Sequence, residues 1–241
     1  RLIDIIHHRL LNQRFAAVAV VSPNIAERFI TEKGFTAARL HIIHNGLAFP
    51  PFMAGVERQT TVTVGSAGRL YPVKDFPLLV EIAREIRKQG ADVQFVLAGE
   101  GPDRQKLEDL LSRYGLEDSF ALPGEVRDMP AFYRRLGLYL NTSLHEGIPM
   151  SVLEAMAAGL PVVAPLVGGL VDMVTDGVEG FLIDSRDPGH YAAKCVLLAK
   201  DPVLREEMGR AARRKVEHSF SLEAMVGKYS GLYRQVISSR S

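Results

Sequence analysis

The residues best equipped for chemistry are two carboxylates and two cations. Glu146 and Glu154, with seven residues between them, lie in the stretch from Asn141 to Ala164, NTSLHEGIPMSVLEAMAAGLPVVA. Its middle predicts a short helix that begins near Ser151, a good N-cap, and stops at Gly159 ahead of Pro161. Between those ends every side chain but Glu154 is apolar, and a helix apolar on all sides is a buried one. A carboxylate placed there needs a partner, because burying it alone is costly. Glu146 precedes the helix in a loop with Gly147 and Pro149, residues that let the backbone pass close to a bound group. The helix N-terminus offers unpaired N–H groups and a partial positive charge, a setting for phosphate. One competing reading needs no ligand: Ser151 and Glu154 fit a capping box, in which the glutamate reaches back to the N-cap amide. It accounts for Glu154 and leaves Glu146 unexplained.

The cations, Arg69 and Lys74, follow the strand-like run TVTVGSAG. Beyond them Asp75 reads as the cap of the next helix and Pro77 as a first-turn residue. An arginine fork and a mobile lysine suit a diphosphate, each charge-assisted bond contributing about 1.5–3 kcal/mol. His145 adjoins Glu146, placed either to hydrogen-bond a sugar or phosphate or to orient the loop. No Asp-x-Asp occurs, His41 and His44 fall on opposite faces of a strand, and His7 and His8 are neighbours on a helix, so no metal is expected.

The elements that must position these groups alternate. Leu2 to Phe15 reads as a helix, Ala16 to Val21 as a strand, Ser22 opens a helix that stops at Gly34, and LHIIH is a strand ending in the turn Asn45-Gly46. FPPFMAGVERQT has no period and reads as a linker. From Val62 a βαβα beat sets in: TVTVGSAG and a helix from Pro77 to Lys88, VQFVLAG and Asp103 to Tyr114, FALPG and Met129 to Leu136, LYLNTS and the helix near Ser151, PVVAPL and Leu170 to Val174, GFLID and Tyr191 to Ala199. Two helices close the chain, Pro202 to Glu217 and Leu222 to Ile237, the latter with Leu222, Met225, Tyr229, Leu232 and Val236 inward; Arg213-Arg214-Lys215 reads as a solvated face. Six short strands joined by helices predict an α/β, doubly wound, Rossmann-like parallel sheet with ligands at the carboxyl ends of its strands. Gly99-Glu100-Gly101 follows the second strand of that unit and lacks the G-x-G-x-x-G fingerprint, so it reads as a strand-to-helix turn whose backbone approaches a nucleotide.

The 241 residues carry a net charge of +1 with both signs interspersed, so the basic excess of a nucleic-acid binder is missing. Apolar content of 47 % supports an ordinary globular core. The lone Cys195 lies on an apolar helical stripe and reads as a buried core thiol, in keeping with a reducing compartment. No apolar run reaches the roughly eighteen residues a membrane span needs, and no signal peptide is expected.

The segment from Glu146 through Glu154 to Ala164 resembles the E-x7-E motif of the retaining, two-domain GT-B glycosyltransferases of family 4. The surroundings match in order: Gly68-Arg69 and Lys74 upstream, Gly168-Gly169, Asp176-Gly177 and Gly180 downstream. The resemblance covers roughly Val20 to Tyr233 and implies residues 1–46 as the tail of an acceptor domain, 47–61 as a linker, 62–219 as the donor-binding domain and 220–241 as a crossover helix. It implies metal-independent, cofactor-free transfer of a hexosyl group from a UDP- or GDP-sugar to a saccharide or lipid-linked acceptor in the cytoplasm, with room for peripheral membrane contact through the acceptor domain. Arg69, Lys74 and the amides near Met150 and Ser151 would stabilise the leaving diphosphate, with Gly68, Gly99, Gly147, Ile148 and Pro149 lining the path. Glu154 would accept the ribose hydroxyls, Glu146 the sugar hydroxyls, and Gly124 to Arg127, Val126 among them, would frame the base. Pro149 departs from the family, many members of which have glycine there. Two alternatives stand beside transfer: a nucleotide-sugar-binding module without catalysis, and a nucleotide-sugar epimerase. A phosphorylase would need a pyridoxal lysine, for which no motif is present.

Overall fold

A computed structural model describes residues 14–48 and 61–238. The helix expected from Leu2, apart from its last two residues, and most of the expected linker lie outside these. β1 (Val18–Val20) and β2 (Leu40–Ile42) form a small parallel pair, bridged by α1 (Pro23–Thr31). The Ser22 hydroxyl caps α1 by accepting from the Ile25 amide at 3.3 Å.

The larger sheet holds β3 (Val62–Ala67), β4 (Val93–Ala98), β5 (Phe120–Gly124), β6 (Leu138–Leu140), β7 (Val162–Pro165) and β8 (Gly180–Ile183). All its pairings are parallel, in the order β5-β4-β3-β6-β7-β8. The helices between are α2 (Phe76–Lys88), α3 (Arg104–Tyr114), α4 (Met129–Arg134), α5 (Met150–Ala157), α6 (Leu170–Met173) and α7 (Pro188–Lys200), followed by α8 (Pro202–Ser219) and α9 (Leu222–Ser238). This is the doubly wound sheet the βαβα beat predicts. The winding reverses between β3 and β6, and a crevice opens there beyond the strand ends.

Both faces are covered, which is why β6 is fully buried at Leu138, Tyr139 and Leu140. The Tyr139 hydroxyl is satisfied within the sheet: it accepts from the Ala67 amide at 3.0 Å and donates to the Ala67 carbonyl at 3.1 Å, fastening β6 to β3 at the reversal. Burial pushes this phenol up to about 12. Cys195 is buried in α7 as expected, its thiol likewise pushed up to about 12.

The structure corrects several local readings. α5 starts at Met150 with Pro149 as N-cap, so Ser151 is its second residue and the capping box does not form. Asp75 precedes α2 but gives it no side-chain cap. Its backbone is left-handed, at φ 46° and ψ 49°, which aims the carboxylate elsewhere. α9 buries none of its residues: Met225, Tyr229, Leu232 and Val236 are half-buried and Leu222 is exposed. Arg213 pairs with Glu217 at 3.0 Å and Lys215 lies 3.8 Å from Glu179, so the basic run is only partly a solvated face.

Candidate functional site

The crevice at the winding reversal is a cleft of 760 Å³. One side is the loop after β3, with Ala67, Gly68, Arg69 and Lys74; another is the first turns of α5, with Pro149, Met150, Ser151 and Glu154. Ala98, Gly99, Glu100, Glu125, Val126, Met129 and Tyr133 complete the wall.

These loops are laced together by their backbones. Gly68 N donates to the Ala98 carbonyl at 2.9 Å, Leu70 N to that of Glu100 at 2.9 Å, and Gly99 N to that of Gly124 at 2.7 Å. Gly99 has φ 140°, and a Cβ there would fall 1.9 Å from the Gly68 carbonyl oxygen. Glycine at 99 is thus demanded by the crossing of two protein loops, whatever the cleft holds. The same holds opposite, where a Cβ on Gly169 would fall 1.8 Å from the Gly147 carbonyl oxygen. Room beside Gly147 itself is filled by Val21 and Ile25, at 3.1 and 3.2 Å from a Cβ built there. What passes close to this glycine is therefore protein. Asn45 holds the next residue, donating to the Ile148 carbonyl at 3.0 Å.

α5 is anchored by Val152, Leu153, Ala155 and Met156, all fully buried, each large side chain contributing about 1.5–3 kcal/mol relative to exposure. That anchorage presents the first-turn amides of Met150 and Ser151, which have no partner within the helix, and the side chain of Glu154. Glu154 Oε2 accepts from the Tyr133 hydroxyl at 2.9 Å. Burial raises the pKa of Glu154, and the Tyr133 hydrogen bond opposes that shift.

Glu146 lies behind the cleft wall. Its Oε1 accepts from Lys74 Nζ at 2.6 Å, from Ser143 Oγ at 2.6 Å and from Asn141 Nδ2 at 3.4 Å. The lysine and glutamate expected to serve phosphate and sugar separately are thus paired, with 23 % and 9 % of their side chains exposed. Arg69 extends beside Tyr71, its guanidinium 5.4 Å from the ring centroid.

The structure brings Gly68, Arg69, Lys74, Gly99, Val126, Pro149, Met150, Ser151 and Glu154 together on one cleft. Glu146 joins through Lys74, while Gly147 and the buried Ile148 support the loop. Arg127 and His145 are exposed and stand outside the lining. Sequence reasoning passed over Tyr133, Asn141, Ser143 and Arg186. Arg186, in the loop after β8, donates to the Thr142 carbonyl at 2.7 Å and the Ser143 carbonyl at 3.4 Å, and pairs with Asp75. It so ties the loop carrying Lys74 to the loop carrying Glu146. The Thr142 hydroxyl adds a bond to the Lys74 carbonyl at 2.9 Å. A lone arginine after a strand gives no signal of this. Among the described residues no three His, Cys, Asp or Glu side chains gather as a metal site, and no helix is long and apolar enough to cross a membrane.

Residues 54–215 match the family model for glycosyl transferases group 1. The chain is 30 % identical over 211 residues to a poly(ribitol-phosphate) alpha-N-acetylglucosaminyltransferase of Staphylococcus aureus, a match covering 87 % of this chain and 41 % of that protein. An alpha-D-kanosaminyltransferase of Streptomyces kanamyceticus is 31 % identical over 171 residues, covering 70 % of this chain and 44 % of the relative. This chain thus spans less than half the length of either. Among solved structures, a point mutant of S. aureus TarM, in complex with fondaparinux, alpha-GlcNAc-glycerol and UDP, superposes with a TM-score of 0.81 at 27 % identity over 92 % of this chain and 44 % of TarM. Anabaena HepE, in complex with UDP and glucose, shares the fold at a TM-score of 0.82 and 22 % identity, covering 97 % of this chain and 67 % of HepE. With well over half of its residues matched, and with a doubly wound sheet like those of its structural neighbours, the chain belongs to the glycosyl transferases group 1 family, of GT-B type.

Proposed function

We propose that the cleft is the donor site of a retaining hexosyltransferase that uses a UDP- or GDP-sugar and a saccharide or lipid-linked acceptor. The observation that carries the reading is the distribution of charge: Arg69, Lys74 and the N-terminal turn of α5 line the same cleft as a carboxylate, Glu154, that forms no ion pair among the described residues. A nucleoside diphosphate has the complementary pattern, anionic phosphates next to a ribose with two hydroxyls to donate. Base contacts then fall to Glu125, Val126 and Met129 at the other end. As the sugar departs, the cations and the first-turn amides stabilise the charge developing on the diphosphate, which does not require a metal. The complexes of TarM and HepE with UDP support a uridine nucleotide. Retention, and the role of Glu146 toward the sugar, rest on the resemblance of the Glu146 to Glu154 segment. The single, buried Cys195 accords with a reducing compartment, and we place the chain in the cytoplasm.

The test is a thermal-shift panel of UDP, GDP and ADP with EDTA present. At least one diphosphate raises the melting temperature without metal, and Arg69→Ala with Lys74→Ala removes most of the effect. Binding that is strictly magnesium-dependent, or unchanged in the double variant, overturns the assignment.

A further inference from the structure

We propose that Tyr133 is the positioning residue for ribose recognition, holding Glu154 so that the site selects ribonucleotides. The proposal rests on the reading of Glu154 as the ribose acceptor and extends it to a side chain that acts through Glu154.

Tyr133 lies near the end of α4, its side chain fully buried. Its hydroxyl stands 2.9 Å from Glu154 Oε2 and 3.1 Å from the Ser151 carbonyl oxygen. A phenol has one proton, so only one of the two acceptors receives it at a time. The carboxylate is the stronger acceptor when ionised, because the bond is then charge-assisted. Burial holds the phenol's ionisation well above the usual range, so it remains a donor.

Among the described residues this is the one side-chain hydrogen bond Glu154 makes, and it occupies Oε2. Oε1 is left for a ligand in the cleft that both residues line. Without the phenol, a glutamate side chain with three rotatable bonds loses the one side-chain hydrogen bond it makes among the described residues, and ribose binding must then supply the ordering. The same hydroxyl links two elements. α4 follows the loop of Glu125 and Val126 at the base end of the cleft, and Ser151 belongs to the turn of α5 at the phosphate end. Tyr133 therefore fixes the spacing of the two ends as well as the carboxylate between them.

The experiment compares UDP with 2′,3′-dideoxy-UDP by calorimetric titration in wild type, Tyr133→Phe and Glu154→Gln. Wild type prefers UDP by about tenfold or more, and Tyr133→Phe brings the two ligands within about twofold, chiefly by weakening UDP. Glu154→Gln does the same. A Tyr133→Phe protein that keeps the wild-type preference, whether both affinities hold or both fall in parallel, shows a packing role only and overturns the proposal. If Glu154→Gln also keeps the preference, or wild type has none, the ribose reading of Glu154 falls and the proposal falls with it. A collapse in Glu154→Gln alone sinks only the role of Tyr133. Should Tyr133→Phe fail to fold, 3-fluorotyrosine at position 133 keeps both ring and hydroxyl. Its fluorine resonance shifts on adding UDP and not on adding the dideoxy compound; equal responses overturn the proposal.

Discussion

Replacing Glu146 by glutamine separates the two tasks open to it. In the structure Lys74 Nζ donates to Glu146 Oε1 at 2.6 Å in a largely buried pair. A diphosphate that recruits Lys74 must compete with this bond, which as a charge-assisted contact stabilises the pair by about 1.5–3 kcal/mol, against about 0.5–1.5 for a neutral amide acceptor. Glu146→Gln therefore releases Lys74 at about 1 kcal/mol less cost, and free UDP should bind unchanged or up to about fivefold tighter. The nucleotide sugar gains the same advantage, but its hydroxyls then meet a neutral amide in place of the carboxylate, a loss of about 1–1.5 kcal/mol. The ratio of nucleotide-sugar to UDP affinity should fall by about 5- to 12-fold. Calorimetry with UDP and with whichever of UDP-glucose and UDP-N-acetylglucosamine binds wild type more tightly measures both numbers. If UDP weakens as much as the nucleotide sugar, Glu146 acts by holding Lys74 in place, and the reasoning that gives it to the sugar is refuted.

Arg186→Ala should cut the tie between the Lys74 and Glu146 loops and weaken UDP binding about three- to tenfold, with Arg186→Lys intermediate because the forked contact to two carbonyls is lost; an unchanged UDP titration in Arg186→Ala would show the tie to be dispensable. Glu154→Gln should raise the melting temperature of the ligand-free protein at pH 7 while weakening nucleotide. The sign follows from burial: the folded pKa is raised above the unfolded one, so the stability is fully present below the unfolded value and is lost as pH rises through the folded value. The gain over wild type should shrink in melts run below pH 4, where the wild-type carboxyl is protonated too. Cys195, its thiol pushed up to about 12 and fully buried, should resist thiol reagents in the native state and react at the rate of global unfolding, measured by labelling across a denaturant series.

The fold was legible because a parallel sheet covered on both faces needs apolar strand runs, and TVTVGSAG, VQFVLAG and PVVAPL supply them between amphipathic helices. The cleft was legible to the extent that the segments beyond the strands carried their own anomalies: Arg69 and Lys74, Gly99, Val126 and Glu154. Local rules failed where a distant residue outbid them. Asp75 has the composition of a cap, but its left-handed backbone delivers the carboxylate to Arg186, 111 residues away. Ser151 has the propensity of an N-cap, yet the loop before it is held by Asn45 at Ile148 and by Gly169 against Gly147, and the helix begins a residue early. The pairing of Lys74 with Glu146, 72 residues apart, could not be read from the spacing of either. The last helix shows the reverse error, since a periodic apolar stripe records that a face is suited to burial and α9 has only part of that face packed.

The two glutamates share a motif but are buried by different physics. Glu146 is accompanied: a lysine, a serine and an asparagine meet one of its oxygens, so its charge is compensated before any ligand arrives. Among the described residues Glu154 has one neutral phenol and no cation as side-chain partner, and its pKa is raised by desolvation. A buried carboxylate so weakly compensated is a standing cost to the fold, and it is relieved when a ligand donates hydrogen bonds without bringing further negative charge to the same oxygen. Ribose hydroxyls meet that requirement. The diphosphate does not, and the cations that suit it, Arg69 and Lys74, lie on the other side of the cleft.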